Sequence, residues 1–366
     1  MSAKLLKENF PGMAALAIVC AHIATTETSG ARNPRARHRE QHMAVLKQAL
    51  PGVGKGLTRP ESVITLADGR VYACDKVCGV VRVLPTQGAL VPLRFPTEPF
   101  IPNGIALLED GSFLIANMGP HGGVWRMTGP GRIEPFIANL NGYPLHPTNY
   151  VELDEQGRLW FTVSTLHVPR ETAFRPGIAD GYIVRYENGR SEVVAESIGF
   201  CNEGRVSPDG AWYYINETIG RRITRFPILE GGRFGPRETV IQFGGDGIFP
   251  DGMGFDADGG VWVASVVSNR LVRVSGGKAE VVLEDCDEAV VQSVEQAFAA
   301  GRMGRAEIDS GRQWTLGNIS SLAFGGADLR TLYLGSLFRE SLTVLPSRWA
   351  GARPVHWNFG KTVLDT

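Results

Sequence analysis

Neither sign of charge prevails in this 366-residue chain. Its 37 Lys and Arg stand against 38 Asp and Glu, a formal net charge of −1. Gripping nucleic acid or an anionic bilayer by electrostatics needs a surplus of positive charge, so neither partner is expected. Cysteine is scarce and odd in number: Cys20, Cys74, Cys78, Cys201 and Cys286, with no paired spacing of the kind a thiolate metal site uses. Cys74 and Cys78 flank one turn and have the spacing to approach each other. The simpler reading is free buried thiols in a reduced compartment. No membrane span is expected, because the apolar run Phe10 to Ala24 (FPGMAALAIVCAHIA) is too short and too interrupted. There is no Gly-x-Ser-x-Gly elbow to suggest a serine hydrolase. The glycine-rich stretches GGRFGP and FGGDGIF lack the helix signal that a phosphate cradle requires.

What the chain has in excess is glycine, 45 residues, without collagen or low-complexity periodicity. That pattern calls for many tight turns between many short strands. The N-terminal segment reads differently. Lys4 and Lys7 precede the apolar run, and a polar basic stretch follows, ARNPRARHREQH at 31–42. Residues 1–50 are therefore read as an extension and 51–366 as one domain. A cytoplasmic location is the expectation. A periplasmic or secreted one is the alternative if the apolar run is a signal, although Glu8 and Pro11 lie at its start and no clean small-residue cleavage site follows.

Six segments share a pattern of apolar stretch, acidic-glycine turn and second apolar stretch. They are SVITLADGRVYACD (62–75), GIALLEDGSFLIAN (104–117), YVELDEQGRLWFTV (150–163), GRVSPDGAWYYINE (204–217), GMGFDADGGVWVAS (252–265) and SLAFGGADLRTLYLGS (321–336). Each reads as a hairpin whose Gly supplies the positive φ of the turn. Further strand-like runs follow each one, such as GYIVRYE and NRLVRVS. About four strands recurring at roughly 40–50 residues predict an all-β fold, a six-bladed β-propeller. A helical-looking insertion, 287–305, precedes blade six, with Val290, Val294 and Phe298 at helical spacing. It suits a lid over the cavity, a homodimer contact or a plain packing helix. Trp125, Trp160, Trp212 and Trp262 fall within blade strands and read as inter-blade core.

In a propeller, residues just before each innermost strand converge on the axis. Blade by blade these positions hold Glu61, Asn103, Asn149, Asn202 and Asp251, and a serine-rich segment in the sixth. One such Asn or Asp would be read as a turn cap. Five at equivalent positions favour a shared ligand. Carboxylate and amide oxygens form a hard cage suited to calcium, magnesium or manganese, whereas zinc usually prefers nitrogen and sulfur.

With those residues in view, the chain resembles the SMP-30/gluconolactonase/LRE family of regucalcin-like propellers, most specifically through FPDGMGFDADGGVWVAS and ISSLAFGGADLRTLYLGS. The resemblance implies one divalent metal, calcium first and magnesium, manganese or zinc as alternatives. It implies Glu61, Asn149, Asn202 and Asp251 as ligands, with Asp251 also catalytic as a base. The implied activity is metal-dependent hydrolysis of a lactone or related small cyclic ester, with the ion polarising a carbonyl and orienting water. A non-catalytic metal- or partner-binding propeller is the alternative. A metal-free, strictosidine-synthase-like propeller is disfavoured by the intact Glu-Asn-Asn-Asp set. Three departures bear on substrate. Pro147 stands where sugar-lactone-cleaving members often carry an Arg, Tyr150 follows Asn149 where an Asp or Gly is common, and Glu203 follows Asn202 where a Gly is usual. Asn103, His146 and His167 are candidates for the substrate pocket.

Overall fold

The computed structural model describes residues 50–84, 90–93 and 100–365, so all of the 1–50 extension except Leu50 lies outside the described residues. The chain forms six blades. Blade three, for example, is built in order from Thr148–Leu153, Leu159–Val163, Gly181–Glu187 and Arg190–Ile198, each strand antiparallel to the one before. Blades two, four and five repeat this four-stranded meander, and blade one shows three strands among the described residues. The innermost strands are Val63–Thr65, Pro102–Leu107, Thr148–Leu153, Cys201–Val206, Ile248–Phe255 and Ile319–Gly325. Each touches the innermost strand of the next blade, and the sixth touches the first, so the ring is closed.

Closure is made by a strand the repeat pattern does not show. Gly52–Val53 pairs antiparallel with Leu342–Pro346 and becomes the outer strand of blade six. Joining the first described residues to the last blade ties the ring by backbone hydrogen bonds. The tail then returns across blades one and two, where Tyr72 donates to Asp365 (2.9 Å) and Phe359, Val363 and Leu364 pack on the core.

The turn aspartates hold the hairpins. Asp154 accepts the backbone N–H of Gln156 (3.0 Å) and Arg158 (2.9 Å), and its second oxygen takes the Trp160 indole N–H at 2.8 Å. Asp256 and Trp262 reproduce this in blade five, again with a 2.8 Å indole bond. One carboxylate thus closes the turn and satisfies the single polar atom of a large buried ring.

The insertion before blade six contains helix α1 (Glu288–Ala299), capped by Asp287 through the Ala289 N–H, followed by the single turn α2 (Arg305–Ile308). The buried stripe of α1 is Val291 and Val294, with Phe298 set edge-on to Phe249. Val290 is only half-buried, one step outside the stripe. Cys74, Cys78, Cys201 and Cys286 are all buried, and no disulfide links them. No helix among the described residues is long and apolar enough to cross a membrane.

Candidate metal centre on the propeller axis

In blades two to five the innermost strand breaks its ladder at the axial residue. Pairing runs Pro102 to Asn117 and resumes at Ile105 to Ile115. It runs Thr148 to Val163 and resumes at Tyr150 to Thr162. It runs Pro250 to Ser265 and resumes at Met253 to Val263. Blade four skips Asn202 and Glu203 in the same way. Such bulges release a residue from the ladder and re-aim its side chain. Here that side chain is Asn103, Asn149, Asn202 or Asp251. The flanking glycine gives the next blade room: a Cβ on Gly252 would lie 2.4 Å from the Ser321 Cα.

Glu61, Asn149, Asn202 and Asp251, drawn from four blades, line one cavity of about 40 Å³ together with Arg59, Arg170 and Thr218. The amides are oriented by their neighbours. The Thr218 hydroxyl donates to the Pro250 carbonyl (2.7 Å), so it accepts from the Asn202 side-chain N–H at 2.9 Å. That leaves the Asn202 Oδ1 buried without a partner. Asn149 donates to Ser164 Oγ at 3.2 Å. An orphaned carbonyl oxygen costs about 1–3 kcal/mol where water is excluded, and beside two carboxylates it suits a hard cation. The carboxylates say the same: burial first, then the negative charges of Glu61 and Glu203, push the Asp251 carboxyl well above the usual range, against the pull of Arg59 and Arg170. The set therefore fits a divalent ion held by Glu61, Asn149, Asn202 and Asp251.

Asn103 lies behind these residues. Its N–H groups donate to the Asn149 backbone carbonyl (2.9 Å) and Oδ1 (3.1 Å), and its own Oδ1 accepts from Arg59 at 2.9 Å. Arg59 also ion-pairs with Glu61. Neither His146 nor His167 lines the cavity. His146 is half-buried, and its carbonyl accepts from the Thr148 hydroxyl (3.1 Å). The His167 ring sits 3.1 Å from Thr172 Oγ1 and 3.7 Å from Asp180. The residues that sequence reasoning missed are the cations. Arg59 lies two positions before Glu61, and its left-handed φ of 54° turns it inward. Arg170 comes from the loop after the second strand of blade three, where no repeat position marks it.

A larger cavity, about 130 Å³, lies toward the other ends of the innermost strands and includes Glu152, Arg205 and His356 in its wall. Glu152 accepts the Val206 N–H at 2.8 Å. Next to this cavity, Glu203 accepts the Met253 N–H at 3.0 Å and ion-pairs with Arg205 at 3.4 Å. Burial, partly offset by Arg205, pushes the Glu152 carboxyl up to about 8 and Glu203 up to about 7. A carboxyl whose folded value is raised contributes stability while it is protonated. That contribution is full below its unfolded value and is lost as pH rises through the folded value. The thermal midpoint is therefore expected to fall between about pH 5 and about pH 8.5, and Glu152→Gln to shrink that fall by on the order of 5 °C. A fall of the same size in the variant would contradict this assignment.

A curated relative, 6-deoxy-6-sulfogluconolactonase of Pseudomonas putida, is 29% identical over 270 residues, covering 73% of this chain and 78% of the relative. Protein STRICTOSIDINE SYNTHASE-LIKE 3 of Arabidopsis thaliana is 26% identical over 54% of this chain and about half of its own length (49%). Among solved structures, regucalcin of Agrobacterium tumefaciens, described as a calcium-binding protein, superposes with a TM-score of 0.56 at 15% identity, covering 86% of this chain and 97% of that one. The SMP-30/Gluconolactonase/LRE-like region matches residues 54–286. The chain belongs to the SMP-30/gluconolactonase/LRE-like family of six-bladed propellers.

Proposed function

We propose that this protein is a divalent-metal-dependent hydrolase of a lactone or related small cyclic ester, acting at the axial cavity. The observation that carries the reading is the gathering of Glu61, Asn149, Asn202 and Asp251 around one small cavity, with both amide nitrogens held by neighbouring hydroxyls and the Asn202 oxygen left over. Calcium is the first expectation from an all-oxygen donor set, with magnesium, manganese or zinc as alternatives. The relative named as a sulfogluconolactonase supports the lactone class.

When bound, the ion supplies Lewis-acid polarisation of the ester carbonyl and compensates the developing oxyanion. The chain supplies the rest. Asp251 takes a proton from the attacking water as the water oxygen bonds to the carbonyl carbon. The ring C–O bond then breaks, and the departing alkoxide recovers the proton, giving a hydroxy acid. Asn103 and Thr218 keep Asn149 and Asn202 in position, and the apolar walls of Phe174 and Phe200 restrict water.

Chelator-stripped protein is expected to release no protons from glucono-1,5-lactone above the spontaneous rate. Adding back calcium, magnesium, manganese or zinc singly should restore turnover with at least one ion. Binding of an ion without turnover on sugar, aliphatic and aromatic lactones would overturn the hydrolase reading in favour of a non-catalytic metal-binding propeller.

A further inference from the structure

Arg170 stands out among the cations at the axial cavity because no carboxylate is in direct contact with it. It forms no ion pair among the described residues. Its partners are the Ser164 hydroxyl (3.0 Å) and the Met118 sulfur, and its guanidinium lies over the Phe200 ring, 5.0 Å from the centroid. Its Nε–H is buried with no acceptor. The other cations at the cavity are compensated: Arg59 by Glu61, and Arg305 by Asp309 at 2.6 Å. Burial, then the like charge of Arg305, lowers Arg170 to about 10, while Glu61 and Asp251 pull the other way, so it remains a cation at neutral pH. An ion that engages Glu61 and Asp251 takes up the negative charge facing both Arg59 and Arg170; Arg59 still donates to the Pro102 carbonyl (3.1 Å) and Asn103 Oδ1 (2.9 Å), whereas the Arg170 Nε–H has no acceptor. A buried donor fork with an open N–H matches the oxygens of a carboxylate, sulfonate or phosphate.

We propose that Arg170 is a specificity-determining residue that binds a fixed anionic substituent of the substrate, away from the carbonyl under attack, so that the preferred substrate is an anionic lactone. This rests on the lactone-hydrolase reading above. Arg170 reaches the cavity from the blade-three loop that also carries the exposed Leu166 and Val168. The subsite is therefore built on a segment that can vary without disturbing the axial residues.

The test compares glucono-1,5-lactone with its analogues bearing a sulfonate or a phosphate at C6, using calcium-loaded wild type, Arg170→Gln and Arg170→Lys. A charge-assisted hydrogen bond in an enclosed site is worth about 10- to 100-fold. The wild type is expected to prefer at least one of the anionic lactones over the neutral one, and the two analogues rank sulfonate against phosphate. In Arg170→Gln that preference should collapse by about 10-fold or more, mainly through KM, with partial recovery in Arg170→Lys. No anionic preference in the wild type, or a preference that survives in Arg170→Gln, overturns the proposal. If no lactone is turned over, calorimetry with methyl 6-deoxy-6-sulfoglucoside and the neutral methyl glucoside still decides. Tighter binding of the sulfonate, weakened about 10-fold in Arg170→Gln, supports the anion subsite independently of the hydrolase reading, and equal binding of the anionic and neutral glycosides refutes it.

Discussion

Replacing Asp251 with Asn is expected to lower kcat for lactone hydrolysis by about 10²- to 10⁴-fold at saturating calcium, the range of a lost general base. The amide keeps an oxygen where the carboxylate stood but cannot accept the water proton. The same change should not destabilise the chelator-stripped protein. Burial, then the neighbouring charges of Glu61 and Glu203, make ionising Asp251 costly in the metal-free cavity, so an uncharged side chain of the same shape removes that cost. The expected pair of results is lost turnover with a metal-free melting midpoint at or above that of the wild type. Lost turnover with a lowered midpoint would point to damage to the fold. Retained turnover would remove Asp251 from the chemistry.

The largest stability effect is expected at Trp262. Its ring is fully buried, edge-on to Phe324 of blade six (5.3 Å) and to Trp349 (5.2 Å), and its indole N–H is bonded to Asp256. Trp262→Ala would open a cavity between blades five and six and take one bond from a carboxylate that Arg273 also engages at 2.6 Å. A loss of about 3–5 kcal/mol is expected, read as a lower urea midpoint. Trp262→Phe keeps most of the volume and should cost less than half of that. Equal losses in the two variants would assign the effect to the Asp256 bond instead of to packing.

The blade count was legible because each repeat carries its own punctuation: an apolar strand, an aspartate with a glycine at positive φ, and a second apolar strand. Once the period is known, geometry puts the start of every innermost strand on the axis, and that arithmetic alone brings Glu61, Asn149, Asn202 and Asp251 together. The arginines escaped it for two reasons. Arg59 turns inward through a left-handed backbone, and a non-glycine residue leaves no sequence sign of that conformation. Arg170 lies in an irregular loop outside the repeat. Closure by Gly52–Val53 was equally hidden, since two residues are too few to show a strand period. The insertion helix was legible as a helix, but its inward face is centred on Val291 and Val294, one residue from the expected phase at Val290. The propeller's packing decided that rotation, and an amphipathic pattern this short does not resolve it.

Titration calorimetry of calcium into chelator-stripped protein tests the metal centre most directly, with wild type, Glu61→Ala and Asp251→Ala compared. One ion per chain, with affinity lost in both variants while their circular dichroism is unchanged, is the predicted result. Undiminished binding in either variant, or no binding of calcium, magnesium, manganese or zinc to the wild type, would contradict a metal centre on the propeller axis.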